Sequence, residues 1–319
     1  MDAIVLAGGY ATRLWPITKH RPKMLLPVGE TTVIDRILSS LEDDDRVGTV
    51  YVSTNEAFAE DLEAHTAEMG YEKAQLSVEE ATAEDEKFGV VGALAQLVER
   101  EDIDDDLFVI GGDNLIGFDI SEFIDYYERQ KTAVLAAYDV GSYQKATSYG
   151  LVDLDGEQVV GFQEKPDDPK STLASIACYL FPGDSVRFRE YLAGENNPDE
   201  PGWYIEWLQS REDVYAFTFD GTWFDIGTPP SYLEAVEWAL DGGSLISPDA
   251  TVENSEIGET VHVMADATVT DSTLDRTLVF PGADIRGCDL DDSILGEDVA
   301  LERLDVRDAV VIEKPSPNS

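Results

Sequence analysis

The spacing of apolar residues changes at Gly243, and that change limits the folds open to this chain. Beyond it, Ile246, Val252, Ile257, Val263, Val269, Leu274, Val279, Ile285, Leu290 and Leu295 recur at steps of five or six residues. A helix repeats every ~3.6 residues and a plain strand every ~2, so neither sustains this period. A near-hexad with small and polar residues between anchors predicts a short parallel β-helix over 244–312. Three steps would make one rung, and about three rungs fit. Residues 313–319 (EKPSPNS) read as a disordered tail.

The first 240 residues alternate strand and helix signals. Ala3 to Ala7 is an apolar run ending in Gly8-Gly9, as a buried strand entering a loop would be. A helix is expected from Val33 to Leu41, a strand from Val47 to Ser53 and an acidic helix from Glu56 to Met69. Then come a weaker strand at 75–78, a helix at 90–98, and a strand at 107–110 that runs into Gly111-Gly112-Asp113. A helix over 120–130 and a strand over 132–138 follow. This alternation predicts an α/β fold with a mostly parallel sheet and helices on both faces. Ligands of such sheets sit beyond the carboxyl ends of the strands, where both glycine-ended strands point. From Tyr149 to Phe181 the pattern is more β-like, with an Asp-Gly turn at 155–156. Helical signals return over 187–207 and 229–240, and 198–202 reads as a loop.

Charge narrows the possible partners. Asp and Glu number 66 and Lys and Arg 22, a formal net charge of −44. Such a surface repels nucleic acid and anionic membranes. With only nine lysines, it has the composition of a halophilic protein. At molar salt the Debye length falls to roughly 3 Å, which screens self-repulsion. No apolar run approaches about 18 residues, and MDAIVLAGGY lacks a basic leader region, so neither a membrane span nor a signal peptide is expected. Cys178 and Cys288 lie too far apart for a metal knuckle, and two cysteines suit a reduced cytoplasm.

One island departs from this acidity. Between Met1 and Gly29 the only acid is Asp2, against Arg13, Lys19, Arg21 and Lys23. Backbone N–H groups of Leu6, Ala7, Gly8 and Gly9, at a sheet's carboxyl edge, can close on a phosphate chain. Arg13 can fork two phosphate oxygens. Lys23, held between Pro22 and Pro27, supplies a compact charge for a transferring phosphoryl group.

This segment, LAGGYATRLWPITKHRPKMLLPV, resembles the signature of sugar-1-phosphate nucleotidyltransferases. Ala11 stands where that family usually has glycine, and Met24 where some thymidylyltransferases have glutamine. Further motifs follow in the family's order up to Thr228. Gly112-Asp113 is similar to the loop presenting a magnesium-binding aspartate. Tyr149-Gly150 and the GFQEKP run at 161–166 resemble the sugar-phosphate site. There Lys165 would bind the phosphate and Glu164 the sugar hydroxyls. The WFDIGT run at 223–228 resembles the motif whose aspartate, here Asp225, is the second metal ligand. Residues 84–89 fall where the family contacts base and ribose, with Gly89 the matching position. The SIACY run at 175–179 lies where the family tends to have glycine before the tyrosine.

The resemblance implies a Rossmann-like catalytic domain over 1–240 followed by a left-handed β-helix. It implies Mg²⁺ as cofactor, NTP and sugar 1-phosphate as substrates, and a homo-oligomer, with the coil packing between subunits or acting as a stabilising cap; the cysteine usage adds the expectation of a cytoplasmic setting. Glucose 1-phosphate with dTTP or UTP is the expected pair. A non-catalytic subunit that senses nucleotide sugars is the alternative. Such proteins tend to lose the lysine or the metal carboxylates, and all are present here. In some family members the coil is an acyltransferase with a catalytic histidine. A short coil with one histidine, His262, argues against that here. His20, His65 and His262 are all expected at the surface.

Overall fold

The structure is a computed structural model and describes residues 1–9, 11–19, 21–79, 89–194 and 196–312. The 84–88 stretch, His20 and the 313–319 tail lie outside these. Contacts divide the chain into two compact units. The first comprises Met1–Gly9 and Ile34–Trp223, the second Tyr10–Val33 and Phe224–Ser319.

The first unit is built on a nine-stranded sheet. Its strands are β1 (Asp2–Leu6), β2 (Val50–Asn55), β3 (Ala74–Glu79), β4 (Leu107–Gly111), β5 (Ala133–Asp139), β6 (Gly150–Asp155), β7 (Gln158–Glu164), β8 (Leu173–Phe181) and β9 (Val214–Thr218). The spatial order is β3-β2-β1-β4-β8-β5-β9-β7-β6. Strands β7 and β8 run against the rest. The sheet is therefore mostly parallel and mixed, as expected. Its central strands read as continuous apolar runs because both faces are covered. Ile4, Val109 and Leu135 share one core with Val91 and Leu94 of helix α3 (Val90–Arg100). The alternate residues Phe108 and Val134 are also fully buried. The Phe108 ring meets Phe123, on the opposite face, edge-on at 5.9 Å.

The helix boundaries follow local chemistry. Helices α1 (Val33–Asp43) and α2 (Ala59–Met69) flank β2 in sequence. α2 starts three residues later than expected, because the Asn55 side chain accepts from the Ala57 N–H at 2.9 Å and holds a turn. It stops at Gly70, whose φ of 75° ends a helix at little cost. α4 (Ile120–Gln130) is capped by Asp119, which accepts from the Ser121 N–H. The expected helical stretch over 187–207 is instead two helices, α5 (Phe188–Leu192) and α6 (Pro201–Gln209). Pro201 opens α6, where a missing N–H costs nothing. Residues expected as loop thus form its first turn.

The second unit holds the basic loop, a two-stranded pairing of Pro27–Val28 with Thr31–Thr32, helix α7 (Pro229–Ala239) and the C-terminal strands. Thr228 and Ser231 form a reciprocal cap on α7. From Leu245 to Val311 the strands are short and pair in parallel at offsets of 16 or 17 residues. One column runs Leu245, His262, Leu278, Ile294, Val310. The stack is consistent with a parallel β-helix, and that column makes one step more than the three rungs expected. Val263, Val269, Leu274, Val279, Ile285, Leu290 and Leu295 fill its interior. Ile246, the first of the sequence anchors, is 41% exposed, since no turn precedes it.

Candidate functional site

In the first unit, β1 and β4 end side by side. The Gly112 N–H donates to the Leu6 carbonyl at 2.9 Å, and the Ala7 N–H to Ser53 at 2.7 Å. The chain then enters Gly8-Gly9. Asn55 Nδ2 donates to the Gly8 carbonyl at 3.0 Å. A Cβ at position 8 would lie 3.0 Å from Glu79 Oε1, whereas among the described residues nothing lies within 4 Å of one at Gly9. Ser53 Oγ donates to that same Glu79 oxygen at 3.2 Å. Sequence reading missed Ser53, Asn55 and Glu79, because they reach Gly8 only through strand pairing.

Asp113 follows β4 and is half-buried. A Cβ on Gly111 would come within 2.5 Å of Asn114 Nδ2 and 2.9 Å of Asp113 Oδ1, so only glycine leaves both side chains room. Buried Asn114 donates to the Gly111 carbonyl at 3.1 Å and accepts from Trp223 Nε1 at 2.6 Å. Asn114 thereby ties the Gly-Asp loop to the first residue of the WFDIGT motif. The residue after a loop aspartate was a readable signal that sequence analysis passed over.

The sugar-phosphate candidates assemble on the β6–β7 hairpin. Gly150 pairs with Glu164, and the Lys165 N–H donates to the Tyr149 carbonyl at 3.1 Å. The Tyr149 ring stands edge-on to Trp223 at 5.0 Å. Lys165 has φ of 42°, a left-handed backbone rarely adopted by a side chain of its type. A Cβ on Gly150 would meet the Phe162 ring at 2.7 Å. One on Gly202, in the first turn of α6, would meet Glu164 Oε2 at 2.0 Å. These glycines wall in the Glu164 side chain, which is 7% exposed. Burial, then the neighbouring charge of Glu200, pushes its carboxyl up to about 7, while Lys165 opposes the rise. The Lys165 ammonium pairs directly with Glu200 and lies 4.0 Å from Glu164. Glu200 carried no sequence signal.

Gly89 stands just before α3 with φ of 73°. A Cβ there would fall 2.4 Å from the Pro198 carbonyl oxygen, which accepts from the Val91 N–H. Glycine is required on both counts. In the SIACY run the β8–β5 pairing slips between Ser175 and Tyr179.

The second unit carries Arg13, Lys23 and Asp225. Ala11, at the family's glycine position, has φ of 47°. The left-handed backbone that favours glycine is kept, at a cost of about 1–2 kcal/mol. Its carbonyl accepts from Thr18 Oγ1 at 3.0 Å. Arg13 is exposed, but Lys23 is only 8% exposed. The Arg13 guanidinium and Asp225 carboxylate flank the same glycine. A Cβ on Gly227 would lie 3.1 Å from Arg13 Nη2 and 3.6 Å from Asp225 Oδ1.

One histidine expectation is overturned and another modified. His65 is half-buried: its Nε2 lies 2.8 Å from the buried Asp35 carboxylate, which also accepts from the Tyr71 hydroxyl at 2.9 Å. His262 is 6% exposed, and its Nδ1 has no hydrogen-bond partner among the described residues. Both lie on sides of their elements that other elements cover. Both cysteines are free and buried. No described helix is long and apolar enough to cross a membrane.

Among the described residues no three His, Cys, Asp or Glu side chains cluster as a metal cage. Mg²⁺ does not need one. It is held through one or two carboxylates plus substrate phosphates and water, and Asp113 in the first unit and Asp225 in the second are each half-exposed carboxylates of that kind.

A profile of the family described as nucleotidyl transferase matches residues 2–242. A Sulfolobus acidocaldarius protein named as a mannose-1-phosphate guanyltransferase is 30% identical over 234 residues, 73% of this chain and 61% of that protein. A glucose-1-phosphate adenylyltransferase of Thermosipho africanus is 31% identical over 201 residues, 60% of this chain and 47% of that protein. The chain thus spans less than two thirds of either relative. A crystal structure from Bacillus anthracis, named as a glucose-1-phosphate thymidylyltransferase in complex with sucrose, matches with a TM-score of 0.66 at 26% identity. That match covers 76% of this chain and 96% of the other. With the family profile spanning the sheet, its glycine-ended strands and all of the candidate residues, the chain belongs to the nucleotidyl transferase family.

Proposed function

We propose that this chain transfers a nucleotidyl group from an NTP to a sugar 1-phosphate. A phosphate oxygen of the sugar forms a bond to the α-phosphorus, the bond to the bridging oxygen breaks, and pyrophosphate leaves with that electron pair. One observation carries the reading. Arg13, Lys23, Asp113, Lys165 and Asp225 each lie at the end of a strand or on the loop after one, within the family-matched stretch.

No side-chain nucleophile is required, because the sugar phosphate supplies the attacking oxygen. The protein's contribution is then orientation and charge. Arg13 and the backbone from Leu6 to Gly9 bind the triphosphate, with Gly89 shaping the nucleoside side. Lys23 follows the charge of the transferring phosphoryl group. Lys165 binds the sugar phosphate, and Tyr149, Gly150 and Glu164 receive the sugar. Asp113 and Asp225 are the proposed Mg²⁺ ligands. When bound, the ion would offset charge on the phosphate oxygens.

Glucose 1-phosphate with dTTP or UTP is the pair proposed first. The relatives' names, which include guanyl and adenylyl transfer, make GTP and ATP the necessary comparators. We further propose a left-handed coil, a cytoplasmic setting and a homo-oligomer packed through the coil. The test is pyrophosphate release in molar KCl over a panel of nucleotides and sugar phosphates. Release with at least one pair is expected, lost with chelator and restored by Mg²⁺. Asp113→Ala should lower turnover by a factor of about 100 or more without changing the fold. Release with no pair would remove the enzyme reading, and binding of an NDP-sugar without turnover would replace it with the sensing subunit.

A further inference from the structure

The loop that carries Arg13 and Lys23 groups, by its contacts, with the C-terminal strands and not with the sheet it leaves and rejoins. Its attachments are specific. The Tyr232 hydroxyl, on α7, donates to the Pro27 carbonyl at 2.7 Å. A Cβ on Gly29 would lie 3.5 Å from that of Ala239 and 3.9 Å from Leu240 Cδ2, at the end of the same helix. Arg21 reaches the coil itself. Its guanidinium lies 5.4 Å from the centre of the Phe280 ring and pairs with Glu297. Phe280 and Glu297 belong to one corner of successive turns, since Val279 pairs with Leu295 and the Phe280 N–H donates to the Leu295 carbonyl at 2.9 Å. Between Arg21 and Lys23 stands only Pro22, buried, with its φ fixed at −57°.

We propose that Arg21 is a positioning residue through which the coil sets the place of Lys23. The proposal rests on the assignment of Lys23 to the transferring phosphoryl group. Lys23 sits between two anchors, Arg21 on the coil and Pro27 on α7. With a rigid proline beside it, its backbone has little independent freedom. Arg21 suits this task better than lysine would. A planar guanidinium can stack on an aromatic face and pair with a carboxylate at once. The coil then has a function in this chain besides stability: it is the wall against which the lysine loop is registered.

The test is a double-mutant cycle on the full chain in molar KCl, using the nucleotide and sugar pair with the highest turnover. Arg21→Ala should lower kcat by a factor of about ten, while the nucleotide KM changes by less than a factor of about three. Arg21→Lys should recover part of the loss. In a Lys23→Met background, Arg21→Ala should cost nothing further in kcat, because its effect passes through the lysine. Glu297→Gln, a half-exposed change on the coil, should move kcat in the same direction, and it stands in if Arg21→Ala does not fold. Unchanged kcat in both Arg21→Ala and Glu297→Gln overturns the proposal. So does an equal loss with and without Lys23, which would mark Arg21 as merely structural. If Lys23→Met alone keeps full turnover, the assignment of Lys23 falls first, and the positioning role falls with it.

Discussion

Glu164 is the residue whose chemistry the structure changes most. As one member of a Glu-Lys-Pro run it would be an ordinary surface carboxylate. Walled in by Gly202 and Phe162 and facing Glu200, it titrates near neutrality, at about 7. Its folded pKa lies above the ordinary 4.5, so the neutral form is favoured in the fold. The stability this contributes is present below about 4.5 and lost as pH rises through 7. The same titration adds a negative charge beside Lys165. The KM for sugar 1-phosphate should therefore rise severalfold as pH passes about 7. Glu164→Gln should flatten that rise, and Glu200→Gln should move its midpoint to lower pH by removing the like charge. Steady-state kinetics between about pH 5.5 and 8.5 would show this; an unchanged midpoint in Glu200→Gln would count against it. At this scale the site is partly legible in the sequence. Arg13, Lys23 and Lys165 stand in local motifs whose residues act on one another within a few positions. Glu79 and Glu200 could not be read, because each meets its partner across segments brought together by folding.

The coil shows the same division at the scale of elements. Its apolar near-hexad gave away the parallel stacking, since an interior of one residue per step demands that spacing. The corners were not read, although they too are periodic. Positive-φ residues fall into three columns: Asp266, Gly282 and Asp298; Asn254, Asp271, Gly287 and Arg303; Thr260, Arg276, Asp292 and Asp308. Asp, Asn and Gly dominate because they adopt left-handed backbone most cheaply. His262 sits on the outward side of this stack yet is buried. Desolvation lowers its pKa to about 4. The folded state favours the neutral ring, so its stabilising contribution is present above about 6.5 and lost as pH falls towards 4. The loss is of order 3 kcal/mol. The wild-type melting temperature should accordingly fall more steeply than that of His262→Gln between these pH values. Parallel melting curves for the two would make the argument untenable.

At the scale of the whole molecule the net charge of −44 bears on stability through self-repulsion. Its self-repulsion is relieved by salt, so the melting temperature should rise by on the order of 10 °C from about 0.1 M to about 3 M KCl. Full stability in dilute buffer would contradict the halophilic reading. The acidic surface need not exclude anionic substrates, because the basic island between Met1 and Gly29 and the later Lys165 are local exceptions. The alternating α/β architecture, the parallel stacking of the C-terminal strands and the family's motif segments were all legible in the chain alone. Hydrophobic period, glycine placement and local charge are properties of neighbouring residues. Folding settled which distant acids stand against Gly8 and Lys165, that His65 is half-buried against Asp35 and His262 buried, and that the Lys23 loop is moored to the C-terminal strands through Arg21. Those contacts join positions up to 276 residues apart, where no local pattern reaches.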